Sequence, residues 1–338
     1  MNALVTGPGG FLGRYIVEQL VARGDRVRGF CRGVYPELES LGIELVQGDL
    51  QDPEAVKVAC DGIDVVYHVA GVAGIWGPWE HYHGINTLGT QHVIDGCRQH
   101  RVPRLVYTSS PSVTFDGRPQ EDVDERAPYP TRWLCHYPHT KALAEQAVLA
   151  ANSSDLMTCS LRPHLIWGPR DRHLVPRLLD RARHGQLRRV GDGTNRIDMV
   201  YVENAARVHL QAADALVPGS PACGRAYFIS QGQPVNCWQW IDELLALAGL
   251  LPVSRSISTR AAWVVGAVLE GAHAALRRPG EPRMTRFLAA QLGHSHFFDI
   301  RRARADLGYR PEEIDKAEGM RRLAASWRDP QLQPQQPT

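Results

Sequence analysis

Lysine is nearly absent from this chain. Of its 38 basic side chains only three, at 57, 141 and 316, are lysine, and the rest are arginine. Where arginine serves as the general positive charge, a retained lysine is expected where an ammonium in particular is needed, because arginine cannot be deprotonated and is hydrated differently. Other scarcities exclude whole classes. The seven cysteines (31, 60, 97, 135, 159, 223 and 237) are odd in number, scattered and never spaced C-x-x-C, which argues for reduced thiols and against a disulfide frame or zinc site. Among 14 histidines only His81/His83 and His294/His296 are closely spaced, neither with an acidic or cysteine complement, so no metal centre is expected. A net charge of +2 without any basic block makes nucleic acid an unexpected partner. No apolar run reaches the ~20 residues of a transmembrane span. The nearest approach, Ala261–Leu276, is interrupted by Glu270 and His273 and reads as a buried or lid-like helix, with an interfacial membrane or substrate-entry helix as the alternative. No secretion signal precedes the strand-like run from Asn2 to Thr6, so a cytoplasmic protein is expected.

What is present is an alternation. Strand-like runs at Leu4-Val5, Arg26–Cys31, Ile43–Gln47, Ile63–Val69, Leu105–Thr108 and Met157–Leu161 alternate with helical stretches at Phe11–Arg23, from Pro53, at Ile85–His100 and at Thr140–Ala151. This rhythm predicts an α/β fold, a Rossmann-type doubly wound parallel sheet with helices on both faces and ligands at the carboxyl edge. Residues 1–163 would form the dinucleotide-binding domain. Residues 164–328 would form a smaller, mostly helical substrate lobe, some of it folding back on the sheet. Helices are expected there at Leu174–His184, Glu203–Leu216, Trp238–Leu250, Ala261–Leu276, Thr285–Leu292 and Pro311–Trp327. The Pro/Gln-rich stretch 329–338 has no apolar content to dock and is expected to be a disordered tail.

Between the first strand and first helix stands Gly7-Pro8-Gly9-Gly10-Phe11-Leu12-Gly13. Glycines 7, 10 and 13 allow a tight turn and close approach of a pyrophosphate, which the N–H groups around Phe11 and Leu12 would hold. The second strand ends Cys31-Arg32 with no carboxylate to accept from a ribose 2′-OH. Arg32 suits a 2′-phosphate, which favours NADP over NAD. Asp49 and Leu50 close the third strand, where the adenine amine would fall, and Ala70 lies at the fourth, small enough to let the cofactor pass close.

The strand Leu105–Thr108 runs into Ser109-Ser110, which puts Ser110 at the ligand edge with Ser109 as its rival. Tyr137 and Lys141 are four apart and share one helical face. Ser110 would hold a carbonyl oxygen while hydride reaches its carbon, and Tyr137 would give the proton. Lys141 would lower the phenol's pKa and bind the nicotinamide ribose.

With Gly7–Gly13, Thr108–Ser110 and Tyr137-x-x-x-Lys141 in this order, the chain resembles an extended short-chain dehydrogenase/reductase up to about Trp327. The stretches Tyr137–Asn152, Arg162–Pro169 (RPHLIWGP), Val190–Leu210 and Ala226–Val235 are similar to the 3β-hydroxysteroid dehydrogenase branch, including sterol-4-carboxylate decarboxylating enzymes. Ser109–Gly117 (SSPSVTFDG) with RPHLIWGP most resembles bacterial 2-alkyl-3-oxoalkanoate reductases of long-chain olefin biosynthesis. The resemblance implies Ser110, Tyr137 and Lys141 as the catalytic set and Pro163 beside the nicotinamide. It implies homodimers through helices near Ile85–His100 and Thr140–Ala151, and association with other olefin-pathway enzymes. It makes a long-chain 2-alkyl-3-oxo acid the expected substrate. A 3β-hydroxysteroid dehydrogenase is the alternative enzyme, and a non-catalytic nucleotide-binding assembly subunit the alternative from another class. Two alkyl chains need an apolar channel, for which Trp238, Trp240, Leu244, Leu245, Leu247, Trp263, Val264 and Val265 are candidates, with Trp76 and Trp79 facing substrate and Arg162 or Arg170 near the carboxylate.

Overall fold

Ala3, Leu4 and Val5 are all buried in the strand Asn2–Thr6 (β1). A strand covered on both faces reads as a continuous apolar run, as parallel sheets require. The computed structural model describes residues 1–278 and 280–328, so the expected tail at 329–338 lies outside the described residues. After β1 come Phe11–Ala22 (α1), Arg26–Cys31 (β2), Glu44–Gln47 (β3), Pro53–Ala59 (α2), Val65–His68 (β4), Gly89–Gln99 (α3), Arg104–Thr108 (β5), His136–Ala150 (α4) and Met157–Pro163 (β6). Arg225–Ile229 (β7) completes a seven-stranded sheet in the order β7-β6-β5-β4-β1-β2-β3. Every neighbouring pair is parallel. This is the doubly wound Rossmann arrangement, with its switch point between β1 and β4.

Both faces are covered. On one, Ile16, Val17 and Leu20 of α1 pack with Ala205, Val208 and Ala212 of the helix Val202–Ala215. On the other, Val56, Val93, Ile94 and Val148 come from α2, α3 and α4. A turn of π-helix, His83–Leu88, leads into α3.

Helix α4 begins at His136, earlier than the expected start at Thr140. Pro138 hides the signal, yet a proline in the first turn costs nothing because its missing N–H would have had no partner there. The early start puts Tyr137 on the same helix as Lys141.

Beyond β6 the chain forms the helices Leu174–Arg183, Val202–Ala215, Cys237–Leu247, Thr259–Ala275, Arg286–Gly293, Arg301–Leu307 and Lys316–Ser326. The single helix expected over Pro311–Trp327 is instead a 3-10 turn, Pro311–Ile314, and a helix whose N-terminus Asp315 caps by accepting from the Glu318 N–H at 2.8 Å. The helix Arg301–Leu307 was not expected. It is short and rich in arginine, and Gly308 ends it at φ 65°. A second, small sheet orders Val235–Asn236, Arg196–Ile197, His296–Phe298 and Gln120–Val123. It pairs His296 with both Ile197 and Gln120, which joins distant parts of the chain beside the end of β6. Among the described residues no helix is long and apolar enough to cross a membrane.

Candidate active site

The glycine loop is shaped by contacts that no side chain would survive. Gly7 has φ 70°, and a Cβ there would stand 3.0 Å from Ala70 Cα. A Cβ on Gly13 would lie 2.1 Å from the Gly7 carbonyl oxygen. The loop is therefore folded tightly onto β4 and onto the start of α1. Gly10 caps α1 without any side chain bonding the helix end, the arrangement in which first-turn N–H groups around Phe11 and Leu12 are offered to a phosphate. The Tyr35 ring lies across Gly9, where a Cβ would come within 2.2 Å of it. These features fit the diphosphate of a dinucleotide.

Arg32 and Asp49 sit at the same edge, with a guanidinium nitrogen 3.9 Å from the carboxylate and the arginine side chain 70% exposed. Leu50 behaves differently. Its side chain is buried against α3, where Gly89 leaves room for it, and its carbonyl oxygen takes a hydrogen bond of 2.7 Å from His92 Nδ1.

At the far side of the switch point a cleft of about 180 Å³ is lined by Ser110, Tyr137, Pro163 and His164 from one side and by Phe287 and His296 from the other. Ser110 leaves β5 in extended conformation and caps the turn Pro111–Thr114, its Oγ accepting from the Ser112 N–H at 3.2 Å and lying 2.8 Å from Ser112 Oγ. Ser109 points elsewhere. Its hydroxyl is buried without a partner among the described residues, and it does not line the cleft. Burial pushes the Tyr137 phenol above its ordinary range, and a hydrogen bond with the Ser110 side chain draws it partly back.

Lys141 is buried. Its Nζ donates to the Thr108 carbonyl at 2.6 Å and lies 4.2 Å from the centre of the Tyr107 ring. Gly71, just past β4, is also close, since a Cβ there would be 3.8 Å from Nζ. Burial pushes the ammonium down to about 7, against the opposing carboxylate of Glu145. The net shift of the phenol is upward, since burial dominates at Tyr137, while the lysine donates to the end of β5. A pH prediction follows from the lysine. Between about pH 7 and the usual lysine pKa the unfolded chain binds more protons at this site than the native one, so its contribution to stability rises with pH. In denaturant melts without added nucleotide, Lys141→Met is expected to gain most over the wild type near pH 7 and to lose that advantage toward pH 10.

Several supports were not visible from motifs. His68 Nδ1 lies 2.8 Å from Thr6 Oγ1 and its Nε2 lies 2.9 Å from Thr90 Oγ1, which ties β1 and β4 to α3. Burial, with Lys141 nearby, pushes His68 down to about 3. Asn86 in the π-turn holds the loop after β4 by bonding both the N–H and the carbonyl of Val72.

The residues expected to form the substrate channel are placed otherwise. Trp238, Trp240, Leu244 and Leu245 are core side chains of the C-terminal half, while Leu247, Trp263, Val264 and Val265 are exposed, and none lines the cleft. The helical spacing of Trp238, Trp240, Leu244 and Leu245 marked a buried stripe, which here is core. Trp76 meets His273, and Trp79 packs among His83, His136 and His139. Arg162 is buried and paired inside the protein, its Nε and Nη2 bonding both carboxylate oxygens of Glu145 at 2.7–3.2 Å, while its Nη1 has no partner among the described residues. Arg170 pairs with Glu18 and stacks 4.1 Å over Tyr15. Neither arginine reaches the cleft. His296, by contrast, drew notice in the sequence only as half of a metal-like pair. Among the described residues no group of three His, Cys, Asp or Glu is placed to hold a metal ion.

A parallel sheet with a glycine cradle at its switch point and a Ser–Tyr–Lys set at the same edge defines a short-chain dehydrogenase/reductase. The profile of the 3-beta hydroxysteroid dehydrogenase/isomerase family matches residues 4–257, and the chain belongs to that family. A protein named 2-alkyl-3-oxoalkanoate reductase from Stenotrophomonas maltophilia is 48% identical over 328 residues, covering 96% of this chain and 99% of that one. Its namesake from Shewanella oneidensis is 48% identical over 333 residues, covering 96% and 86%. Among solved structures, MoeE5 in complex with UDP-glucose and NAD superposes with a TM-score of 0.75 at 25% identity, covering 97% of this chain and 99% of that one. The chain is a nicotinamide-dinucleotide-dependent oxidoreductase acting on CH–OH groups.

Proposed function

We propose that the protein is an NADP-dependent reductase that converts the 3-keto group of 2-alkyl-3-oxoalkanoic acids to the 3-hydroxy group, reversibly, in long-chain olefin formation. The observation that carries this reading is the Ser110–Tyr137 pair in one cleft beside the glycine cradle, in a chain 48% identical to two reductases of that name. Residues 1–163 would hold the nucleotide and 164–328 would shape the substrate side. The enzyme would act in the cytoplasm as a homodimer, in association with other enzymes of olefin formation.

The chain's own part in the reaction is to orient, to exclude water and to move one proton. Gly7, Gly10, Phe11, Leu12 and Gly13 would hold the diphosphate, Arg32 the 2′-phosphate, and Asp49 and the Leu50 backbone the adenine. Ala70 and Pro163 would stand beside the nicotinamide, and Lys141 would anchor its ribose. The chemistry such a cofactor would supply is hydride transfer to or from the carbonyl carbon. Ser110 Oγ holds the carbonyl oxygen, and Tyr137 O–H delivers a proton to that oxygen as negative charge develops on it. A phenol kept protonated through neutral pH is suited to donate.

Assay in the oxidative direction avoids the spontaneous decarboxylation of a β-keto acid. With racemic 2-alkyl-3-hydroxy acids, NADP⁺ is expected to outperform NAD⁺, and Arg32→Glu to reverse that preference by removing the cation at the 2′-phosphate. Oxidation of a 3β-hydroxysteroid without oxidation of the alkyl acids would overturn the substrate assignment. The family match keeps that second reading specific, because the same Ser–Tyr–Lys chemistry serves a rigid ring alcohol.

A further inference from the structure

Three buried groups from three distant segments meet in the wall of the cleft. His164 follows β6, Asp198 follows the strand Arg196–Ile197, and His296 opens the strand His296–Phe298. They are 7%, 0% and 3% exposed, and only the two histidines line the cleft. Asp198 Oδ1 lies 2.6 Å from His164 Nδ1, His164 Nε2 lies 3.1 Å from His296 Nδ1, and His296 Nε2 lies 2.7 Å from the Gln291 carbonyl oxygen.

Counting protons along this chain leaves one over. A carbonyl oxygen only accepts, so His296 Nε2 carries hydrogen. Burial, then the neighbouring His164, pushes His296 down to about 3, so its ring is neutral and Nδ1 is a lone pair. His164 must therefore donate from Nε2. Its other nitrogen still faces Asp198, whose second oxygen already accepts from the Phe298 N–H at 2.9 Å. A proton has to lie in the contact between His164 and Asp198. When His164 holds it, the pair is a dipole with its positive end at the cleft and its negative end in the core. Among the described residues His164 is the one ion-pair partner of Asp198.

Among the described residues no lysine or arginine lines the cleft, and Arg162 and Arg170 are paired with Glu145 and Glu18. A carboxylate entering such a space without compensation would be strongly disfavoured. We propose that the His164–Asp198 pair, backed by His296, is the specificity element of the cleft: its imidazolium selects substrates that carry a carboxylate beside the reacting carbonyl. The proposal deepens the β-keto acid reading and rests on it. Both nitrogens of His164 are engaged, so the imidazolium acts through its charge on a carboxylate nearby, as a positioning residue.

Asp198→Asn isolates this effect. The amide can still donate to His164 Nδ1 and accept from Phe298 N–H, so the hydrogen bonds persist while the extra proton and the dipole disappear. The probes are 2-hexyldecanoic acid and its primary amide, titrated calorimetrically into the NADP-loaded protein. The wild type is expected to bind the acid about ten- to a hundredfold more tightly than the amide, the range for one charge interaction across a few ångströms of partly polar interior. In Asp198→Asn the acid should fall to the level of the amide, with amide and nucleotide affinities unchanged. Equal binding of acid and amide by the wild type would overturn the proposal, and so would a variant that weakens both probes alike. If that variant fails to fold, ¹⁵N spectra of the wild type with acid bound decide: His164 should be protonated at both ring nitrogens, and a singly protonated ring would refute the assignment. Acid-selective binding without turnover of alkyl hydroxy acids would remove the proposed reaction and leave the charge assignment standing.

Discussion

Tyr137→Phe is expected to lower turnover by about 10²- to 10⁴-fold, the usual contribution of a positioned proton donor, while nucleotide affinity stays unchanged. The substitution removes one oxygen from the cleft and leaves the ring's packing in place. The glycine cradle, Ala70 and Lys141 lie on other contacts, so the nucleotide should not sense the loss. The checks are single-turnover rates and a fluorescence titration of NADPH on the same preparation. Comparable loss in both would mean that the phenol supports structure, whereas retained turnover would remove it from the chemistry. A protein that only binds nucleotide would show no activity to lose.

Glu145→Ala is expected to destabilise the fold by about 3–5 kcal/mol, because it strands a buried guanidinium. Glu145 and Arg162 are 0% and 3% exposed at their side chains. The carboxylate also accepts from Ser160 Oγ at 2.7 Å and from Tyr129 O–H at 2.8 Å. Burial alone would raise the Glu145 carboxyl, but Arg162 and these hydroxyls hold it below the ordinary range. The sign for pH follows. The stabilisation is complete above the ordinary glutamate pKa and is lost as pH falls through the lower, folded value. Urea melts at neutral pH check the magnitude. The double substitution Glu145→Gln with Arg162→Met should recover part of the loss, because no unpaired charge remains. A single-variant loss below about 1 kcal/mol, the level of an exposed pair, would mean that water reaches the site. Glu145 stands one turn beyond Lys141 and opposes the loss of its charge, so the substitution should also move the lysine's titration downward.

Much of the architecture was legible because it rests on local patterns. The runs Arg26–Cys31 and Met157–Leu161 fall on β2 and β6, and Pro53 opens α2 behind the cap of Asp52. Cover on both faces makes each central strand announce itself without reference to its neighbours. The start of α4 was less legible, since a first-turn proline resembles a helix breaker in sequence. Apart from β7, the strands beyond β6 are two or three residues long, too short for any periodicity to register. Apolar stripes misled for a related reason. A helical stripe records that a face is covered but not by what, so Trp238 and Trp240 stayed channel candidates although core packing was the plainer reading, and they are core.

The sequence by itself determined the strand–glycine–helix start, the strand–helix alternation up to β6, and the tyrosine and lysine one turn apart. Each depends on residues a few positions from one another, where spacing and backbone geometry suffice. Tertiary structure alone decided which serine faces the phenol, that Arg162 answers Glu145, and that His164, Asp198 and His296 form one hydrogen-bonded chain. Those contacts join residues 17 to 132 positions apart. They are fixed by how the strand ends come together, which depends on packing and on the balance of buried charge across the whole molecule.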